Sequence, residues 1–107
     1  MAMLRIELLG GLELIGADGA PITISARKVA ALAAYLAMVR RPQGRDALAA
    51  MFWGDRAEEQ ARMSLRQALS ALRKALGEHA NTLGANVHEV WLTPGTFDTD
   101  VAGFESL

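Results

Sequence analysis

The chain contains no cysteine. That excludes a disulfide framework, thiolate metal ligands and thiol nucleophiles. No apolar run is long enough to cross a bilayer. The opening Met-Ala-Met-Leu-Arg-Ile-Glu is interrupted by charge before an apolar core can build, so it does not read as a secretory signal. The expectation is a cytoplasmic chain with no membrane partner. There is no glycine-rich phosphate loop, no Ser-His-Asp set and no metal-ligand spacing, so an enzyme is not expected and no cofactor is implied. Asp98 and Asp100 form a tempting carboxylate pair, but paired acids in a turn are usually solvated. His79 and His88 read as surface histidines. Internal repeats and low-complexity segments are also missing.

Residues 78–107 hold no lysine or arginine. Residues 27–74, by contrast, hold ten of the eleven cations against four acids, Asp46, Asp55, Glu58 and Glu59. The remainder holds Arg5 alone against eight acids. A net charge of −1 therefore conceals a basic centre, which points to one basic face on a neutral domain. Two neutral or acidic ends folding against each other would give the same counts. With 107 residues, 51% of them hydrophobic, the chain suits one globular domain with one core.

The most informative stretch is 57–77. Leu65, Leu69, Leu72 and Leu76 recur at helical spacing, with Ala61, Ala68 and Ala75 on the same side. Glu58 and Glu59 fall in the first turn and Arg73 and Lys74 in the last, as the helix dipole favours, and Gly77 is a natural stop. Advancing about 100° per residue turns Met63, Gln67, Ser70, Ala71 and Lys74 away from the core. Arg62, Arg66 and Arg73 line one flank. Such a helix meets the needs of major-groove reading; a solvated amphipathic helix would look the same.

Before it, residues 4–9, 12–15 and 22–24 read as short strands, separated by Gly10-Gly11 and by the hairpin signal Asp18-Gly19. Such a small antiparallel sheet must pack on something. Ser25 is the expected N-cap of a helix over 26–39, with Val29, Leu32, Ala33, Leu36 and Val39 inward. Arg27 and Lys28 lie at its dipole-unfavourable end. Tyr35 reads as a core ring with its hydroxyl at the surface. Arg40-Arg41-Pro42-Gln43-Gly44 reads as a turn in which Gly44 offers a positive φ. A short helix over 45–52 should bury Leu48, Met51 and Phe52. After Gly77, Leu83 begins a strand, Gly84-Ala85-Asn86 turns, and 87–92 returns as a strand ended by Pro94-Gly95. Val101, Phe104 and Leu107 have helical spacing.

This order is that of an α+β winged helix-turn-helix: an N-terminal three-stranded antiparallel sheet, three helices and a C-terminal β-hairpin wing. Arg45-Asp46-Ala47-Leu48-Ala49-Ala50-Met51-Phe52-Trp53-Gly54 resembles the short-helix motif of OmpR/PhoB-type DNA-binding domains, and residues 64–77 resemble their recognition helix. The opening Leu-Leu-Gly-Gly-Leu-Glu-Leu, the Arg27-Lys28 helix, Val90-Trp91-Leu92 and Phe104-Glu105 together most resemble the SARP class of bacterial transcriptional activators, in which an all-helical activation domain follows the DNA-binding domain.

The resemblance implies sequence-specific binding of double-stranded DNA, with residues 57–77 in the major groove. Gln67, Ser70, Ala71 and Lys74 would face the bases, with Ser64 and Arg73 near the phosphates and Arg66 on the basic flank beside them. Arg45 and Trp53 match positions that commonly touch the phosphate backbone; Trp53 can pack its ring and still turn its indole N–H outward. Residues 54–60 match a segment that can touch RNA polymerase, and the hairpin near 85–89 would be the wing. Dimers or tandem binding on direct repeats are also implied. The expected division is a DNA-binding domain over 1–97, with 98–107 opening a following helical segment or linker. Three departures stand out: Ala71 sits where a long basic side chain is frequent, the wing offers only His88 and the repelling Glu89, and the chain stops where the activation domain would begin. The uncharged wing favours a competing reading, a winged-helix module that binds protein instead of DNA.

Overall fold

A computed structural model describes residues 3–9 and 12–100. The Gly10-Gly11 turn and the helical spacing of Val101, Phe104 and Leu107 lie outside the described residues. The elements run β1 (Leu4–Glu7), β2 (Glu13–Ile15), β3 (Pro21–Ile22), α1 (Arg27–Val39), β4 (Gln43–Gly44), α2 (Arg45–Trp53), α3 (Glu58–Leu76), a 3-10 segment (Gly77–Thr82), β5 (Leu83–Ala85), β6 (Glu89–Leu92) and β7 (Phe97–Thr99).

Alternation builds the first sheet. Leu4 and Ile6 point into the core while Arg5 faces solvent, as a two-residue period requires. β1 and β2 pair antiparallel, with Ile6 opposite Leu14, and β2 continues into β3 through Asp18-Gly19 as expected. Gly19 has φ 83°, its N–H donates to the Gly16 carbonyl at 2.9 Å, and Asp18 Oδ1 accepts from the Ala20 N–H at 3.0 Å.

The sheet is larger than the three antiparallel strands expected. Its order is β3-β2-β1-β7, and β7 lies parallel to β1 with Leu4 opposite Phe97. The division expected after residue 97 therefore runs through a strand. Residues 97–100 complete the N-terminal sheet: Asp100 accepts from the N–H groups of Leu8 and Leu9 at 2.8 and 3.0 Å, and Asp98 lies 3.8 Å from Arg5 Nη1. Asp100 thus ties the end of β1 to β7, whereas Asp98 stays largely solvated beside Arg5.

The helices form where their apolar periodicity places them, with corrections at the ends. α1 starts at Arg27 with Ala26 as N-cap and no side-chain cap, so Ser25 does not cap it. At its other end Arg40, not Gly44, takes the positive φ, 56°, and donates its N–H to the Leu36 carbonyl. Gly44 is extended, φ −63° and ψ 137°, because β4 pairs with β6. In α2, Leu48, Ala49 and Trp53 are buried and Phe52 half-buried, whereas Met51 is exposed. α3 ends as expected at Gly77, φ 55°. One core joins both sheets and all three helices, with Leu4, Ile6, Leu32, Leu36, Leu48, Leu65, Leu72 and Val90 fully buried.

Candidate nucleic-acid interface

The inward face of α3 is Ala61, Leu65, Ala68, Leu69, Leu72 and Leu76. Burying these residues fixes what the helix shows outward. Gln67, Ser70, Ala71 and Lys74 are exposed, and so are Met63, Arg66 and Arg73. The base-facing set expected from the sequence is thus on one accessible side.

The cations divide by partner. Arg62 donates to Asp46 at 3.0 Å and to Glu58 at 2.8 Å. Its pKa is raised by the Asp46 hydrogen bond first, then by attraction to Asp46 and Glu58. This guanidinium is already neutralised by its own domain. Arg73 Nη2 reaches the Leu83 carbonyl at 3.3 Å, which ties α3 to the base of the wing. Arg66 and Lys74 form no ion pair among the described residues. Ser64 is half-buried, and its hydroxyl accepts from Arg56 Nη1 at 3.2 Å, so it braces the loop before α3.

Arg45 stands at the start of α2, beneath the wing. Its N–H donates to the His88 carbonyl at 2.8 Å, and its Nε donates to the Asn86 carbonyl at 2.8 Å. The wing turn lies two residues later than expected, at Asn86-Val87-His88, between β5 and β6. Asn86 causes the shift: its Oδ1 accepts from the N–H groups of His88 and Glu89 at 2.8 and 2.7 Å, an Asx turn. Behind the turn, a Cβ on Gly84 would collide with the Trp91 indole, which lies across it. Val87 projects from the tip, 82% exposed. With Arg45, Asp46, Arg62, Leu65 and Arg66 it lines a groove of about 450 Å³ between wing and α3.

Trp53 is only 5% exposed and packs beside Phe52, ring centroids 6.0 Å apart. Lys28 Nζ lies 5.7 Å from the centroid of its ring, a cation–π distance. That contact gives Lys28 an internal partner at the unfavourable end of α1. Tyr35 is half-buried, its hydroxyl 3.4 Å from Gln43 Oε1 and its ring edge-on to Phe52. His79 is not a surface histidine: its Nε2 accepts from the Ala17 N–H at 3.1 Å and fastens the β2–β3 hairpin to the end of α3. The sequence reading placed Met63 outward, as found, but passed over Val87 and Gln60. Helical spacing carried the signal for Gln60.

Among the described residues there is no group of three or more His, Cys, Asp or Glu side chains that could hold a metal ion, and no helix long and apolar enough to cross a membrane.

No protein-family model and no curated protein matches the sequence. One solved structure that does match is Mycobacterium tuberculosis EmbR in complex with a low-affinity phosphopeptide. It superposes with a TM-score of 0.73, at 32% sequence identity, and covers 91% of this chain. The chain spans 27% of that protein. Two sheets flanking three helices, a long exposed third helix, a hairpin clasped by Arg45 and this likeness together give an α+β winged helix-turn-helix of the SARP-like kind.

Proposed function

We propose that this domain binds double-stranded DNA in bacterial transcription regulation, as the DNA-contacting part of an activator, with α3 in the major groove. The observation that carries the reading is the exposed side of α3. It presents Gln67, Ser70 and Lys74 outward and Arg66 on the flank, beside a groove that opens toward the wing. A regulatory role is supported by the likeness to EmbR, a regulator with a DNA-binding domain. In this reading Arg45, Arg66, Arg73 and Lys74 meet phosphates, Ser64 and Trp53 support the same face from within the fold, and Gln67 and Ser70 face base edges. Arg45 and Arg73 each spend one donor on the wing and have others to offer. The loop over 54–60 is proposed to meet RNA polymerase. Dimerisation or tandem binding on direct repeats would supply further specificity.

A titration of short duplexes at 50 and 200 mM salt tests the reading. Each neutralised phosphate adds about 0.9 to the log–log slope. Four contacts therefore predict a loss of affinity of about 10²-fold over this range. A flat response overturns it in favour of a protein-binding module, for which the exposed Val87 and uncharged wing tip are the motive.

A further inference from the structure

Arginine is the commonest reader of guanine through a bidentate contact in the major groove. The amino-terminal half of α3 has no such reader at its outward centre. Arg62 is held by Asp46 and Glu58, and Arg66 stands on the flank that borders the wing groove. Three neutral side chains occupy the outward side instead: Gln60, Met63 and Gln67. All are exposed, Met63 by 57%, and none makes a side-chain hydrogen bond among the described residues. Gln60 and Met63 border a shallow groove with Glu59, Arg62 and Arg66.

Each of these groups has a definite complement on a base pair. A glutamine amide matches the N6 and N7 edge of adenine. A thioether neither donates a hydrogen bond nor accepts one well, so its favourable neighbour on a base edge is the 5-methyl of thymine; other edges would lose hydration without return. Met63 and Gln67 are four residues apart, about 6 Å along the helix. A base-pair step is about 3.4 Å. The two side chains therefore span one or two steps.

We infer that the amino-terminal half of α3 reads A·T pairs, Gln67 taking an adenine and Met63 the methyl group of a thymine one or two pairs away. This inference rests on the DNA-binding reading and names the chemistry of its site. Met63 is a specificity residue in this account, although it holds nothing in the fold.

The test begins with selection of duplexes from a random pool by the 107-residue chain. In the selected duplex each thymine is then replaced in turn by deoxyuridine, which removes only the methyl group, and each adenine by 7-deazaadenine, which removes only N7. One deoxyuridine should weaken wild-type binding about fourfold, the value of one buried methyl group. Met63→Ala, which should melt with the wild type because the side chain is exposed, should bind the thymine and deoxyuridine duplexes equally. One 7-deazaadenine should weaken the wild type and leave Gln67→Ala unaffected. The inference is overturned if Met63→Ala shows the same loss as the wild type at every deoxyuridine, or if G·C pairs occupy the position at which Gln67→Ala relaxes preference. Absence of salt-dependent duplex binding overturns DNA binding itself, whereas a pool that is bound without enrichment overturns this inference. An enriched site indifferent to deoxyuridine overturns this inference alone.

Discussion

The N-terminal sheet and the helix–wing half use charge in opposite ways. In the sheet, carboxylates find partners within the fold: Glu7 and Asp98 meet Arg5, Asp100 collects two backbone N–H groups, and Asp18 closes the hairpin. In the helix–wing half some cations are tied and others are not. Arg62 is cancelled and Arg45 and Arg73 grip the wing, whereas Arg66 and Lys74 form no ion pair among the described residues. Formal charge counted along a chain therefore overstates the charge available to a partner, and the partners of each side chain decide the difference.

The comparison breaks most completely where the two halves share a core. Leu72 is fully buried, so Leu72→Ala should cost about 2–5 kcal/mol and abolish both sheet and helix signals in one thermal transition followed by circular dichroism. If the sheet and the helices melted separately, the single shared core would be wrong. Asp100→Ala should act on the sheet alone. It strands one part-buried backbone donor and leaves a second, exposed one to water, at a cost of about 1–3 kcal/mol, and duplex affinity measured well below the melting point should not change. The smallest effects belong to the exposed cations. Arg66→Ala should leave stability within about 0.5 kcal/mol, weaken all duplexes alike and lower the salt slope by about one. The double change Asp46→Asn with Glu58→Gln frees Arg62 and should raise that slope. An unchanged slope in the double variant would mean that Arg62 does not lie near phosphate.

What the sequence made legible is what local physics decides. The leucine period of α3 has a single inward face, and Gly77 and Asp18-Gly19 are at positive-φ positions or turns that few other residues fill. β7 was hidden because three residues carry no period, and its partner β1 lies at the far end of the chain. The wing turn moved by two residues because an Asn86 side chain, not a glycine, organises it. Gly44 lost its turn role to Arg40 because pairing with β6 demands an extended backbone. Outward positions such as Gln67 and Arg66 could be named from the helix alone. The pairing of Arg62 with Glu58, one turn away on the same helix, is local, but its contact with Asp46 and the partners of Arg45 and Arg73 could not be named, since they belong to other elements.

The parallel pairing of β1 with β7 also sets an order of events. Leu4 meets Phe97, so this contact closes a loop that contains nearly every other element, and loop closure of that span is entropically the most expensive step in the molecule. The α2–α3 pair is joined by a short loop and can meet early. During folding the helices should therefore assemble first and the sheet should be sealed last. Loss of the Asp100 bonds would then appear as faster unfolding with an unchanged folding rate in stopped-flow measurements. A chain emerging from the ribosome would hold the exposed side of α3 in place before its own first strand had found the neighbour that completes the sheet.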